Sequence, residues 1–211
     1  HLSLRRQRQM CIRDSIMPGY WRAQQQTAEV FDEDGFYCSG DALKLADPTD
    51  PQLGLMFDGR IAEDFKLSSG VFVSVGPLRN RAVLEGSPYV QDVVVAAPDR
   101  ECLGLLVFPR LHECRQLAGL AAAASDTEVL ANAAVRGWFA DWLQRLNREA
   151  TGNATRLEWI ALMSQAPSID RGEITDKGSI NQRAVLQWRA EQVEALYRGR
   201  DESILRAESR P

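Results

Sequence analysis

The chain has 211 residues, 45% of them hydrophobic, and a formal net charge of −4 at pH 7. That length holds one large domain or two small ones, and the hydrophobic share is ordinary for a globular protein. The acidic balance argues against nucleic acid as a partner, and no apolar run approaches the ~18 residues of a membrane span.

Residues 1–15, HLSLRRQRQMCIRDS, lack hydrophobic periodicity. No apolar stretch follows the arginines, as a signal peptide would require. The segment resembles a translated sequencing adapter, so it is set aside as non-native and the natural protein is expected to extend upstream. It carries four Arg against one Asp, which leaves the rest of the chain more acidic still.

Residues 16–58 read as β-rich with turns. Val30-Phe31 and Phe36-Tyr37 flank the turn Asp32-Glu33-Asp34-Gly35, and a Pro/Asp cluster at 46–54 leads to a strand at Leu55-Met56-Phe57. A boundary is expected over 59–65. Val71–Val75 reads as a strand ended by Gly76-Pro77, with a short helix over 78–85. Tyr89–Ala96 and Leu103–Phe108 are apolar runs on either side of Pro98-Asp99-Arg100-Glu101, a strand–turn–strand pattern. Leu130, Ala134, Trp138, Trp142 and Leu146 recur every four residues and predict one amphipathic helix over 127–149. The Ala-rich stretch 117–124 reads as a helix or a loose insertion, and Leu157–Met163 as a strand. Leu186, Ala190, Val193 and Tyr197 form the stripe of one closing helix. The fold class is therefore α+β, with a compact domain over 66–200 and a flexible tail over 201–211.

The four cysteines form no CxxC and read as reduced thiols of a cytoplasmic protein, with no metal site. His112 has no triad partner by spacing and reads as a surface residue. Trp138, Trp142, Trp159 and Trp188 read as core or helix-packing residues. Asp170, Glu173 and Asp176 read as a solvated loop face.

Two short motifs carry chemistry. Asp41 follows the turn Ser39-Gly40, and a carboxylate there can accept from two adjacent sugar hydroxyls, at about 1.5–3 kcal/mol per charge-assisted bond before desolvation. Asp58-Gly59-Arg60 follows, with Arg60 nineteen residues after Asp41, and a guanidinium can donate to the same sugar or to a phosphate.

With Gly19-Tyr20 and Thr27 upstream, these motifs resemble the C-terminal third of the acyl-adenylate-forming (AMP-binding) superfamily. GRIAEDFKLSSG, VSVGPLR and GEITDKGSINQRAVL are similar to feruloyl-CoA synthase or a related aryl-CoA ligase. The resemblance implies a C-terminal α+β lid domain, preceded by a β-rich remnant of the large nucleotide-binding domain at 16–58. It implies an ATP-dependent carboxylate–CoA ligase using ATP, Mg²⁺ and coenzyme A, acting on a carboxylic acid of aromatic type. A medium- or long-chain fatty acyl-CoA ligase, or a fragment that binds without catalysing, stay open as alternatives. Gly19 and Tyr20 would lie near the adenine, and Asp41 and Arg60 on the ribose. Ala62, Glu63 and Asp64 would form the hinge, with Ala62 where relatives carry Asp or Lys. Lys66, Ser69 and Gly70 would face the pantetheine channel in the thiol step. Lys177 would be the catalytic lysine of adenylation, although the usual Gly-Lys place is Gly172-Glu173 here. The family's phosphate loop does not occur in this chain, so the fragment alone is expected to be inactive.

Overall fold

The computed structural model describes residues 17–199 and 204–207; the adapter-like segment 1–15 lies outside them. The chain divides into two compact units, with the break between Ala62 and Glu63.

The first unit contains helix α1 (Gln24–Val30) and strands β1 (Asp41–Leu45) and β2 (Leu55–Arg60). β1 and β2 pair antiparallel, with Asp41 opposite Arg60, Leu43 opposite Phe57 and Leu45 opposite Leu55; the register shifts between Asp41 and Leu43. Asp32 accepts through Oδ1 from the amides of Asp34 and Phe36, which closes the turn beneath the Phe31–Tyr37 bridge. α1 was not expected. Its sequence, QQQTAEV, has neither an apolar stripe nor a capping side chain. All the buried hydrophobic side chains among the described residues belong to the second unit, from Leu67 onward.

The second unit begins with a two-residue ribbon, β3 (Phe65–Lys66) and β4 (Phe72–Val73), followed by α2 (Val75–Glu85). A four-stranded sheet then forms in the order β5 (Val90–Val95), β6 (Leu103–Pro109), β7 (Leu157–Leu162), β8 (Ile204–Arg206). β5 and β8 run antiparallel to their neighbours, while β6 and β7 are parallel. Between β6 and β7 lie α3 (Leu111–Leu117), α4 (Asp126–Ala131) and α5 (Ala133–Arg148). α6 (Gln182–Trp188) and α7 (Ala190–Arg198) follow β7.

Every residue of β6 is buried. A strand covered on both faces needs no polar alternation, and its side chains divide by parity. Leu103, Leu105 and Val107 join Phe139, Trp142 and Leu143 of α5 in one cluster, while Leu106 and Phe108 join Val185 and Leu196 in the other. Side chains of this size contribute about 1.5–3 kcal/mol each on full burial. Trp138 completes the first cluster by stacking with Trp142 and meeting Phe139 and Tyr89 edge-on.

The strand–turn–strand around Pro98–Glu101, the strand from Leu157 and the α5 stripe match the expected elements. Four details differ, each for a local reason. Val75, Gly76 and Pro77 begin α2 and do not end a strand, because proline is tolerated in a first helical turn whose amides have no intrahelical acceptor. The helix expected over 127–149 breaks at Asn132, whose side chain accepts from Ala134 N and starts a new helix. The closing helix breaks at Arg189. Ile204–Arg206, assigned to a flexible tail, instead form β8, with Ile204 and Ala207 buried. The Ala-rich stretch is not helical after Leu117, and Trp188 is exposed, with Arg171 over its ring at 5.6 Å.

Candidate functional site

The first unit brings together the residues singled out around the nucleotide motif. Cross-strand pairing sets Asp41 beside Arg60, with Arg60 Nε 3.1 Å from Asp41 Oδ1. The contact is an ion pair without aligned hydrogen-bond geometry, so Oδ1 has an electrostatic partner but no directed donor. Both side chains are partly exposed, and such a pair adds at most about 1 kcal/mol to stability. The Ser39-Gly40 turn delivers the carboxylate: Asp41 N donates to Ser39 Oγ (3.2 Å), Ile61 N donates to Gly40 O (2.9 Å), and Gly40 takes a φ of 76°. On the same strands Lys44 pairs with Asp58 at 2.7 Å.

Gly19, Tyr20 and Thr27 also meet. Thr27 Oγ1 accepts from Tyr20 N (2.9 Å) and donates to Ala23 O (2.9 Å). Gly19 has a φ of 150°, and a Cβ there would stand 2.7 Å from Thr27 Cγ2. Tyr20 Oη lies 3.5 Å from Tyr37 Oη. The Tyr37 phenol is raised above its ordinary range, first by that hydroxyl contact and also by the negative charge of Asp41. Tyr37 joins this group without having been singled out by the sequence, where its only signal is its place four residues before Asp41. A carboxylate, a guanidinium and two phenols supply both donors and acceptors for a polyol.

In the second unit Lys66 is exposed on β3, and Leu67-Ser68-Ser69-Gly70 turn the chain into β4. Gly70 N donates to Leu67 O (2.8 Å) at a φ of 81°, and Ser69 and Gly70 are exposed. Gly70 therefore serves the turn first. The turn is held from behind, as Ser68 N donates to Arg100 O (2.9 Å) and Asp99 N to Lys66 O (3.3 Å). Arg100 in turn pairs with Glu194 and covers the ring of Tyr197 at 4.9 Å. Of the three residues singled out as the hinge, Ala62 ends the first unit and Glu63 opens the second. Asp64 accepts from Val75 N at 2.9 Å and so occupies the N-terminus of α2.

Lys177 stands in an exposed turn. Ile174 bridges Ile180, Thr175 N donates to Ser179 O (2.8 Å), and Gly178 N donates to Thr175 O (2.8 Å). The root of this hairpin is Glu173, which is fully buried and not part of a solvated face. Its carboxylate takes Arg189 Nε at 2.7 Å, Arg189 Nη2 at 3.0 Å and Ser168 N at 2.7 Å. The bidentate Arg189 bond, ahead of the Ser168 amide, holds the carboxyl below its usual range against the opposing effect of burial. Glu173 was misread because its partner lies sixteen residues ahead and only the fold joins them.

His112 is exposed beside Gln116, as its isolated spacing suggested. Cys38, Cys102 and Cys114 are free thiols, and burial pushes Cys114 up to about 11. Among the described residues, no three His, Cys, Asp or Glu come together as a metal site, and no helix is long and apolar enough to cross a membrane.

A family model described as AMP-binding enzyme C-terminal domain matches residues 67–201. The carboxylic acid reductase of Segniliparus rugosus is 30% identical over 184 residues, which are 87% of this chain and 14% of that protein. The solved A domain of the S. rugosus reductase, in complex with AMP and a co-purified carboxylic acid, superposes with a TM-score of 0.66 at 29% identity, over 88% of this chain and 27% of that one. The A-PCP didomain of the same reductase, in complex with AMP, gives 0.63 at 31% identity over 87% and 24%. The chain thus spans about a quarter or less of these relatives. With its fold shared with these A domains and most of its second unit matched by the C-terminal domain model, the chain belongs to the AMP-binding enzyme family.

Proposed function

We propose that the chain is the C-terminal portion of an ATP-dependent enzyme that activates a carboxylic acid as acyl-adenylate and then transfers the acyl group to a pantetheine thiol. The pairing of Asp41 with Arg60 across β1 and β2 carries this reading: it sets a hydroxyl acceptor and a forked donor side by side on a turn that leaves them accessible. The likeness to an A domain solved with AMP and a carboxylic acid supports it. So does the first unit's lack of buried hydrophobic side chains among its described residues, because a lone hairpin is marginal in water and suits a larger domain.

In the first step a carboxylate oxygen attacks the α-phosphorus of MgATP. The P–O bond to the β-phosphate breaks and pyrophosphate leaves. Lys177 offsets the charge that develops on the transferring phosphoryl group. Asp41 accepts from the ribose hydroxyls, Arg60 donates to the ribose or phosphate, and Gly19 and Tyr20 border the adenine. In the second step a thiolate attacks the acyl carbonyl and AMP leaves, with Lys66, Ser69 and Gly70 bordering the path of the thiol. Ala62, Glu63 and Asp64, at the break between the units, act as the hinge between the steps.

The motif text favours coenzyme A as acceptor and a hydroxycinnamate such as ferulate as acid, in a cytoplasmic enzyme. A second reading has the same thiol on a carrier domain, favoured by the likeness to the A-PCP didomain. The test uses the enzyme with its upstream sequence restored. Ferulate-dependent ATP–pyrophosphate exchange followed by feruloyl-CoA formation is the expected result. Octanoate replacing ferulate would shift the substrate to fatty acids, and exchange without CoA thioester would favour the carrier. Absence of exchange with every acid would contradict adenylation altogether.

A further inference from the structure

We propose that the buried pair Glu173–Arg189 is the positioning device that aims Lys177, acting on adenylation without touching substrate. The proposal rests on the role given to Lys177 above.

The hairpin that carries Lys177 cannot orient itself. Its tip is exposed, and its own contacts, the Ile174–Ile180 bridge and the Thr175–Ser179 backbone and hydroxyl bonds, close the turn without fixing where it points. Its direction must come from its roots, Glu173 and Asn181, which are joined by Asn181 N donating to Glu173 O at 2.9 Å. One root is fixed by Arg189. That guanidinium holds the Glu173 carboxylate with two bonds. It also donates from Nη1 to Gln165 O (3.1 Å) and from Nη2 to Ala166 O (2.9 Å), which captures the segment leaving β7. The carboxylate holds the middle of that segment through Ser168 N. Arg189 itself stands at the junction of α6 and α7, with Phe108 of the central strand beneath its plane at 4.9 Å. The second root, Asn181, caps α6 through Ala184 N at 3.3 Å. The ion pair therefore ties the Glu173 end of the lysine hairpin to the sheet and to the closing helices, while Asn181 joins the other end to α6 and, through its amide, to Glu173.

Buried ion pairs seldom exceed well-packed apolar side chains in stability. What the fork adds is direction, since its bonds are planar and fixed in angle. A loop aimed this way loses rate steeply when it drifts: about 1 Å of misplacement costs roughly 100-fold.

The test separates aim from fold. In the upstream-restored enzyme, Glu173→Gln is expected to slow ferulate-dependent pyrophosphate exchange about 100-fold, while thioester formation from preformed feruloyl-adenylate stays at the wild-type rate. The double variant Glu173→Met/Arg189→Met removes the buried charges together and is expected to regain the wild-type melting temperature without regaining exchange. A purely structural pair predicts the opposite: exchange returns with stability, which would overturn the proposal. Exchange unchanged in Glu173→Gln, with Lys177→Ala inactive, would also overturn it and leave the lysine assignment standing. If Lys177→Ala retains exchange, the lysine assignment itself fails. Amide hydrogen exchange at Asn181, whose N–H joins the two roots, in the 211-residue chain still reads the tether alone, with faster exchange expected in Glu173→Gln and an unchanged rate contradicting it.

Discussion

Replacing Lys177 by Ala in the upstream-restored enzyme is expected to lower acid-dependent pyrophosphate exchange by about 10²–10³-fold, the range for loss of one preorganised group that stabilises transition-state charge. Thioester formation from preformed acyl-adenylate should be unaffected, because the α-phosphate is no longer being transferred. The structure favours a clean effect. Lys177 is exposed in a turn and makes no side-chain bond to another described residue, so its truncation should change stability by less than about 0.5 kcal/mol. Nor does another lysine stand in its own loop: the chain has three lysines, of which Lys44 is paired with Asp58 and Lys66 stands on β3. Single-turnover assays of the two half-reactions check this, and equal loss in both would remove the assigned role.

Arg189→Met should produce the largest loss of stability and an inverted pH dependence. In the wild type, Arg189 holds the Glu173 carboxyl below its ordinary 4.5. The pair's contribution is then complete above that ordinary value and fades as pH falls through the depressed folded value. Removing the guanidinium leaves a fully buried carboxylate whose partners reduce to the Ser168 amide. Burial now pushes the carboxyl up, and a raised value means stability is lost as pH rises through it. The variant should therefore be weaker than wild type by about 3–5 kcal/mol near neutral pH, and the gap should narrow toward pH 5. Urea denaturation of the 211-residue chain at both pH values measures it. A gap independent of pH would mean that Glu173 is not charged at neutral pH.

Much of the second unit was legible because its strands are short apolar runs between turn residues and its long helix shows a stripe of Trp138, Trp142 and Leu146. What escaped was set by local competition or by distance. Asn132 looks like any helical residue until its side chain is seen capping Ala134, and Gly76-Pro77 reads as a strand stop unless the helix begins just before it. Glu173 and Arg189 share no sequence signal, since a charge in a polar loop is buried only when the fold supplies its partner. In the first unit the spacing of the two Gly-containing motifs anticipated that Asp41 and Arg60 belong together. The phenol of Tyr37 did not stand out, because tyrosine near a turn is commonly just half-buried packing.

The grip on the nucleotide's sugar is the claim on which the rest depends. Calorimetric titration of the upstream-restored enzyme with AMP and with its 2′,3′-dideoxy analogue tests it directly. Wild type should prefer AMP, and Asp41→Ala should weaken AMP binding by roughly 10–150-fold, the equivalent of one charge-assisted bond, and erase the preference. AMP bound equally well by Asp41→Ala and wild type would contradict the account.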